Sequence, residues 1–136
     1  MGAEALAAAL RRGALSTLVT LVLDDNPIGS EGMAALAAPL HKLPRLNELL
    51  ICCCEIGDAG MASLVGSLGK NDFKALEFIW LRNNNITDAG MATLAAALDA
   101  GWLPNLQANV AFFLIGNPAS AHAEQAVLDA LYKRHD

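Results

Sequence analysis

The chain has 136 residues, 54 % of them hydrophobic but only 5 % aromatic, and a formal net charge of −5. That length supports a single domain with a continuous core, and no apolar run approaches the roughly 20 residues a membrane span needs. No Lys/Arg cluster exceeds Arg11-Arg12 or Lys133-Arg134, so phosphate backbones are repelled, and neither nucleic acid nor a membrane surface is an expected partner.

In chain order, the opening Met-Gly-Ala-Glu-Ala-Leu lacks the basic stretch of a secretory signal. Residues 1–17 read instead as a helix whose strand is missing: Gly2, Leu6 and Leu10 align on Gly32, Leu36 and Leu40 with a shift of 30. At Leu18 a longer pattern begins, through Leu21, Leu23, Asn26, Ile28, Gly32, Leu36 and Leu40. It returns 28 residues later as Leu46, Leu49, Ile51, Cys54, Ile56, Gly60, Leu64 and Leu68. After 30 more it is Leu76, Ile79, Leu81, Asn84, Ile86, Gly90, Leu94 and Leu98. Units 18–45, 46–75 and 76–105 are full repeats, and one such unit cannot bury its own apolar face.

Each unit opens with period-two alternation, as in Leu18-Val19-Thr20-Leu21-Val22-Leu23, which is a short strand with Leu21 and Leu23 inward. The chain turns at Asn26-Pro27, Cys54-Glu55 and Asn84-Asn85. Apolar residues at helical spacing follow. Ser30, Asp58 and Asp88 are the expected N-caps, Gly69 and Gly101 the expected C-caps, and Pro39 is expected to shorten or bend its helix. The last stretch, 106–136, is irregular. Phe112-Phe113-Leu114 is taken as its strand, with an insertion near Ala108-Asn109-Val110. A helix from about Ser120 to Lys133 then closes the array, with Lys133-Arg134-His135-Asp136 as a polar end.

Strand, turn, helix and return in 28 to 30 residues suits parallel strands joined by helical crossovers. The expected fold is a single α/β domain, a right-handed solenoid forming a short horseshoe arc. Its parallel sheet lines the concave side and its helices the convex side. The residues that carry this pattern, L-x-x-L-x-L-x-x-N/C-x-(I/L) followed by a Gly-led helix, resemble the ribonuclease-inhibitor-type leucine-rich repeat. The resemblance implies that Asn26, Cys54, Asn84 and Asn117 form a ladder bonding the backbone of adjacent turns, with Cys54 the weakest rung.

Chemistry is sparse. Cys52, Cys53 and Cys54 are consecutive, which suits neither a disulfide nor a zinc site, so free thiols in a reducing, cytoplasmic setting are expected. His41, His122 and His135 lie in different units without a nucleophile in a recognisable order. Asp24-Asp25 is a solvated rim. No catalytic residue, metal site or cofactor is expected, and the chain is not read as an enzyme. Met33, Met61 and Met91 recur at one core position, and Trp102 reads as a packed loop anchor.

The outward strand positions differ between units. One row is Val22, Leu50, Trp80 and Phe113, and its neighbour is Thr20, Glu48, Phe78 and Ala111. Arg82, Asn83, Asp24 and Asp25 flank them. Large exposed apolar patches mark contact sites, and Trp with nearby Arg is a common hot-spot composition. The expected function is therefore a non-catalytic module binding a protein or peptide through Val22, Glu48, Leu50, Phe78, Trp80, Arg82 and Phe113. An alternative is regulation of an enzyme, since similar repeats occur in the Ran GTPase-activating protein, ribonuclease inhibitor and NOD-like receptors. Another is a purely structural segment of a longer array. The first strand has an open edge, so self-association is a further expectation.

Overall fold

A computed structural model describes residues 2–107 and 111–134, the side chains of Ala111 and Phe112 excepted. The elements alternate along the chain: α1 (Gly2–Arg11), β1 (Thr20–Val22), α2 (Gly29–His41), β2 (Glu48–Leu50), α3 (Gly57–Val65), β3 (Phe78–Trp80), α4 (Asp88–Asp99), a 3₁₀ turn (Ala111–Leu114) and α5 (Ala121–Arg134). The strands form one parallel sheet in the order β1-β2-β3. Each helix packs on the next, α1 on α2 through to α4 on α5. The result is an α/β repeat fold, with a sheet layer and a helix layer sharing one core.

The repeated apolar residues build that core. Leu49 and Ile79, Ile51 and Leu81, Ile56 and Ile86, Met61 and Met91, and Leu64 and Leu94 are all buried. Their counterparts Leu21, Leu23 and Ile28 in the first full unit are only half-buried, because no described strand lies beyond β1. A cavity of about 230 Å³ opens there, lined by Ala3, Leu6, Leu23, Ile28 and Leu36 among others. Glycine recurs at 60 and 90 for want of space: an added Cβ would come within 2.5 Å of the Ile56 or Ile86 Cγ2 methyl.

Helix ends depart from expectation in three ways. Ser30, Asp58 and Asp88 do not cap their own helices. The N-caps of α2 and α3 are Ile28 and Ile56, without side-chain bonds, and that of α4 is Thr87. The aspartates instead reach forward one repeat. Asp58 accepts from the backbone N–H groups of Thr87 and Gly90 at 2.8 and 3.0 Å and from the Thr87 hydroxyl. Asp88 likewise accepts from the Ser120 N–H at 2.6 Å and from its hydroxyl at 3.0 Å. A carboxylate in one helix's first turn thus satisfies free donors at the next helix's start. Burial raises the Asp58 pKa, but these bonds outweigh it and hold the carboxyl below its ordinary value.

Pro39 neither shortens nor ends α2, which runs 13 residues to His41. Proline lacks the N–H that would bond the Ala35 carbonyl four residues back. Arg11 of α1 supplies the missing donor, its guanidinium lying 3.2 Å from that oxygen. The shorter helix is α3, nine residues long, capped by Gly66 rather than Gly69. Gly69 lies further on, and its N–H donates to Asp72. Gly101, by contrast, follows the α4 cap with φ +93°, the left-handed geometry expected of it.

The polar ladder is graded along the array. Asn117 Oδ1 accepts from the Asn84 and Ile86 N–H groups, and its Nδ2 donates to the Leu81 and Leu114 carbonyls. Asn84 repeats the arrangement one unit earlier, on Cys54, Ile56, Ile51 and Arg82. Cys54 gives only thiol bonds, to Leu23 O at 3.0 Å and Cys52 O at 3.3 Å. Asn26 is exposed and donates within its own unit, to the Leu23 and Asp24 carbonyls.

In the last unit, Phe112-Phe113-Leu114 is a 3₁₀ turn rather than a strand. The insertion expected near Ala108-Asn109-Val110 lies outside the described residues, as do His135 and Asp136. The backbone still serves the sheet: Leu81 N–H donates to Phe113 O at 2.8 Å and Asn83 N–H to Ile115 O at 3.1 Å. Those contacts continue the series in which Leu23 bonds Leu50 and Ile51 bonds Trp80.

Candidate functional site

The sheet face away from the helices carries the residues that differ between units. Register places Thr20, Glu48 and Phe78 in one row and Val22, Leu50 and Trp80 in the next. Adjacent strands lie about 4.8 Å apart, so the side chains of each row stand next to one another. Val22 is 58 % exposed, while Leu50, Phe78 and Trp80 are half-buried. Phe78 and Trp80 also pack against the core, so they are held in place by it.

Glu48 ties the rows together. The Trp80 indole N–H donates to Glu48 Oε2 at 2.9 Å, across one strand and diagonally between rows. Beyond the strands the face turns polar. Asp24 Oδ1 accepts from the Cys52 N–H at 2.7 Å. Arg82, Asn83 and Asp25 are exposed.

Phe113 does not belong to this face. It is completely buried. Its backbone occupies the place that Leu50 and Trp80 hold in the hydrogen-bond series, as their alignment implies. The 3₁₀ winding replaces the pleat there, so the outward alternation of a strand no longer applies. The exposed apolar side chain in this region is Ile115, 46 % exposed and bonded through its carbonyl to Asn83. Nothing in the alternation of the sequence marked it.

The thiols are free. Cys53 is exposed, while burial pushes the pKa values of half-buried Cys52 and buried Cys54 upward. Cys54 is therefore a protonated donor rather than a nucleophile. Among the described residues, no group of three or more His, Cys, Asp or Glu is placed to hold a metal ion.

One cluster was not legible from spacing. His41, at the end of α2, is buried and its Nε2 lies 2.7 Å from the Leu64 carbonyl. A carbonyl only accepts, so Nε2 carries the proton. Nδ1 is 3.8 Å from Asp72 Oδ2, and the Phe73 ring meets the imidazole edge-on at 4.8 Å. Lys42 donates to Asp72 Oδ1 at 2.6 Å. Burial lowers the His41 pKa, only partly offset by the Leu64 bond and the Asp72 charge. Burial raises the Asp72 pKa, but the bonds from Lys42 and Gly69 more than reverse this and keep it ionised. With a carbonyl and an aromatic ring as the other neighbours, the cluster fastens the segment after α3 to the end of α2.

A family model described as Leucine Rich repeat matches residues 14–37 and 76–95, which contain β1 with the start of α2 and β3 with much of α4. No curated protein matches the sequence. No described helix is long and apolar enough to cross a membrane.

Proposed function

We propose that this chain, in which residues 14–37 and 76–95 match a Leucine Rich repeat model, is a non-catalytic module that binds a protein or peptide across its sheet face. Leucine-rich repeats generally mediate protein–protein interaction. In this reading the repeats are of the ribonuclease-inhibitor type and the sheet is the inner side of a right-handed arc. The carrying observation is the apolar line Val22, Leu50 and Trp80 with Phe78 beside it, on the face the helices leave uncovered. Glu48 and Arg82 supply its charges. Aromatic residues with a nearby arginine concentrate binding energy at interfaces. Three free thiols support a reducing, cytoplasmic setting.

The test is capture of partners by the wild-type chain and by two variants. Trp80→Ser/Phe78→Ser removes the aromatic pair. Val22→Glu alters an exposed position and leaves the core untouched. Both variants should retain the wild-type circular dichroism and lose the captured partners. Capture profiles identical to wild type from folded variants would remove the proposal.

A second reading concerns the open edge of β1. Val19 and Val22 are 51 % and 58 % exposed, and Leu18, Leu21 and Leu23 are half-covered at the strand's open edge. Pairing of two such edges is a route to self-association. Sedimentation at rising concentration should reveal a dimer that Thr20→Pro abolishes, and a monomer throughout would exclude it.

A further inference from the structure

Glu48 is a charge set inside the apolar part of the sheet face, and we propose that it receives a cationic side chain, so that the docked segment is an apolar one carrying an arginine. The inference rests on the reading of this face as the binding surface and names what that surface selects.

The geometry argues in three steps. Glu48 stands on the central strand, in register with Thr20 and Phe78, with Leu50 two residues on. Its carboxylate reaches diagonally to the Trp80 indole, which donates to Oε2 at 2.9 Å. The side chain is thereby fixed in one place before any partner arrives, which lowers the ordering cost of binding.

A carboxylate offers about four acceptor sites, and the indole fills one. Among the described residues, the ion pairs are His41 and Lys42 with Asp72, and Lys133 with Asp99. Glu48 is in none of them. Water serves its remaining sites while the face is open. A segment that covers Leu50, Phe78 and Trp80 strips that water away. A carboxylate left with one neutral donor in such a setting opposes docking, whereas a guanidinium replaces the lost water with paired, charge-assisted bonds.

The wider charge agrees with this. The chain carries net −5. Arg82 stands two residues beyond Trp80 and is exposed. It repels an arginine from that end and leaves the Glu48 end for it.

The test reads the Trp80 indole N–H directly. In the ¹⁵N-labelled full chain, Trp102→Phe identifies the Trp80 indole resonance. The probes are the blocked tripeptide Leu-Arg-Leu and its Leu-citrulline-Leu counterpart, equal in shape but uncharged. The arginine peptide should move the resonance at a concentration about five-fold lower or better, the gain expected of one charge-assisted pair at a partly covered site. Glu48→Gln should erase that advantage while retaining a side chain able to accept from the indole.

Equal curves for the two peptides, or an advantage that survives Glu48→Gln, would overturn the cation assignment while leaving the apolar docking reading intact. No shift with either peptide up to 10 mM would also overturn it. The docking reading is then judged separately, by the partner capture of the Trp80→Ser/Phe78→Ser variant. A purely structural Glu48 moves the resting indole resonance on mutation and creates no difference between the two peptides.

Discussion

The amide oxygen of Asn84 lies 2.8 Å from the backbone nitrogen of Cys54, one repeat upstream, and the favour is not passed on in kind. Asn84 makes four bonds, two accepted and two donated. Cys54, at the equivalent place, has a single weak thiol proton shared between the Leu23 and Cys52 carbonyls. The side-chain ladder between units therefore weakens from the C-terminal side towards β1.

Asn84→Ala should cost about 3 kcal/mol, since four backbone groups, three of them buried, lose a partner and some stay unpaired. Cys54→Ala should cost about 1 kcal/mol, mostly thiol packing and one weak, shared bond. Urea unfolding of both variants measures the difference. Equal losses would mean that the side-chain ladder does not set the cohesion between units.

Arg11 and Pro39 predict a coupling. Arg11→Met should cost about 0.5–1 kcal/mol in the natural chain, because it returns the Ala35 carbonyl to solvent at a partly exposed site. In a Pro39→Ala background the helix supplies its own N–H to Ala35, and the same change should cost close to nothing. A double-mutant cycle isolates this term. An interaction energy of zero would show that the guanidinium and the proline act independently.

The parallel sheet, its register and the buried series were legible because they depend on periodicity, which one sequence displays directly. Leu49, Ile51, Ile79 and Leu81 recur at fixed spacing and all are buried. What failed depends on partners distant in sequence. Asp58 and Asp88 look like N-caps locally, but parallel stacking brings the next helix's donors within their reach. Pro39 looks like a helix breaker until Arg11, 28 positions earlier, is placed beside Ala35. Phe113 was aligned on Trp80, and its backbone does take that place in the hydrogen-bond series. Its side chain is buried because local winding, which repeat alignment does not report, changed from pleat to 3₁₀. At the candidate site the rows were legible, but the Trp80–Glu48 bond was not, since alternation assigns a side chain to a face and says nothing of its diagonal reach.

Backbone strain gives a prediction from within the array. Glu55 has φ +58°, and Asn85, its counterpart one unit later, has φ +59°. Asparagine tolerates this left-handed geometry, whereas glutamate is opposed by its Cβ. Glu55 is exposed, so replacing it disturbs little packing. Glu55→Asn should stabilise the chain by about 0.5–1 kcal/mol, raising Tm by roughly 2–3 °C at this size. A lowered Tm in a calorimetric scan would refute the strain account.

Acid should weaken the fold in two stages, beginning at His41. Its pKa in the folded chain lies below the ordinary 6.5, with burial as the main cause. Above 6.5 the imidazole is neutral both folded and unfolded, and its contribution is constant. As the pH falls from there towards the folded value, the unfolded chain takes up a proton that the folded chain does not, so stability declines. The second stage comes from Asp58 and Asp72, whose folded pKa values lie below the ordinary 3.8. They stabilise above that value, and the gain is lost as the pH drops through their folded values. Urea midpoints between pH 8 and 5 should decline in the natural chain and flatten in His41→Gln, which keeps a donor for the Leu64 carbonyl. Asp72→Asn should remove part of the loss below pH 4 and leave a slope above it. Should His41→Gln retain the full slope between pH 7 and 5, the first stage belongs to another group and the buried imidazole is not the acid-sensitive joint of α2 and the segment after α3.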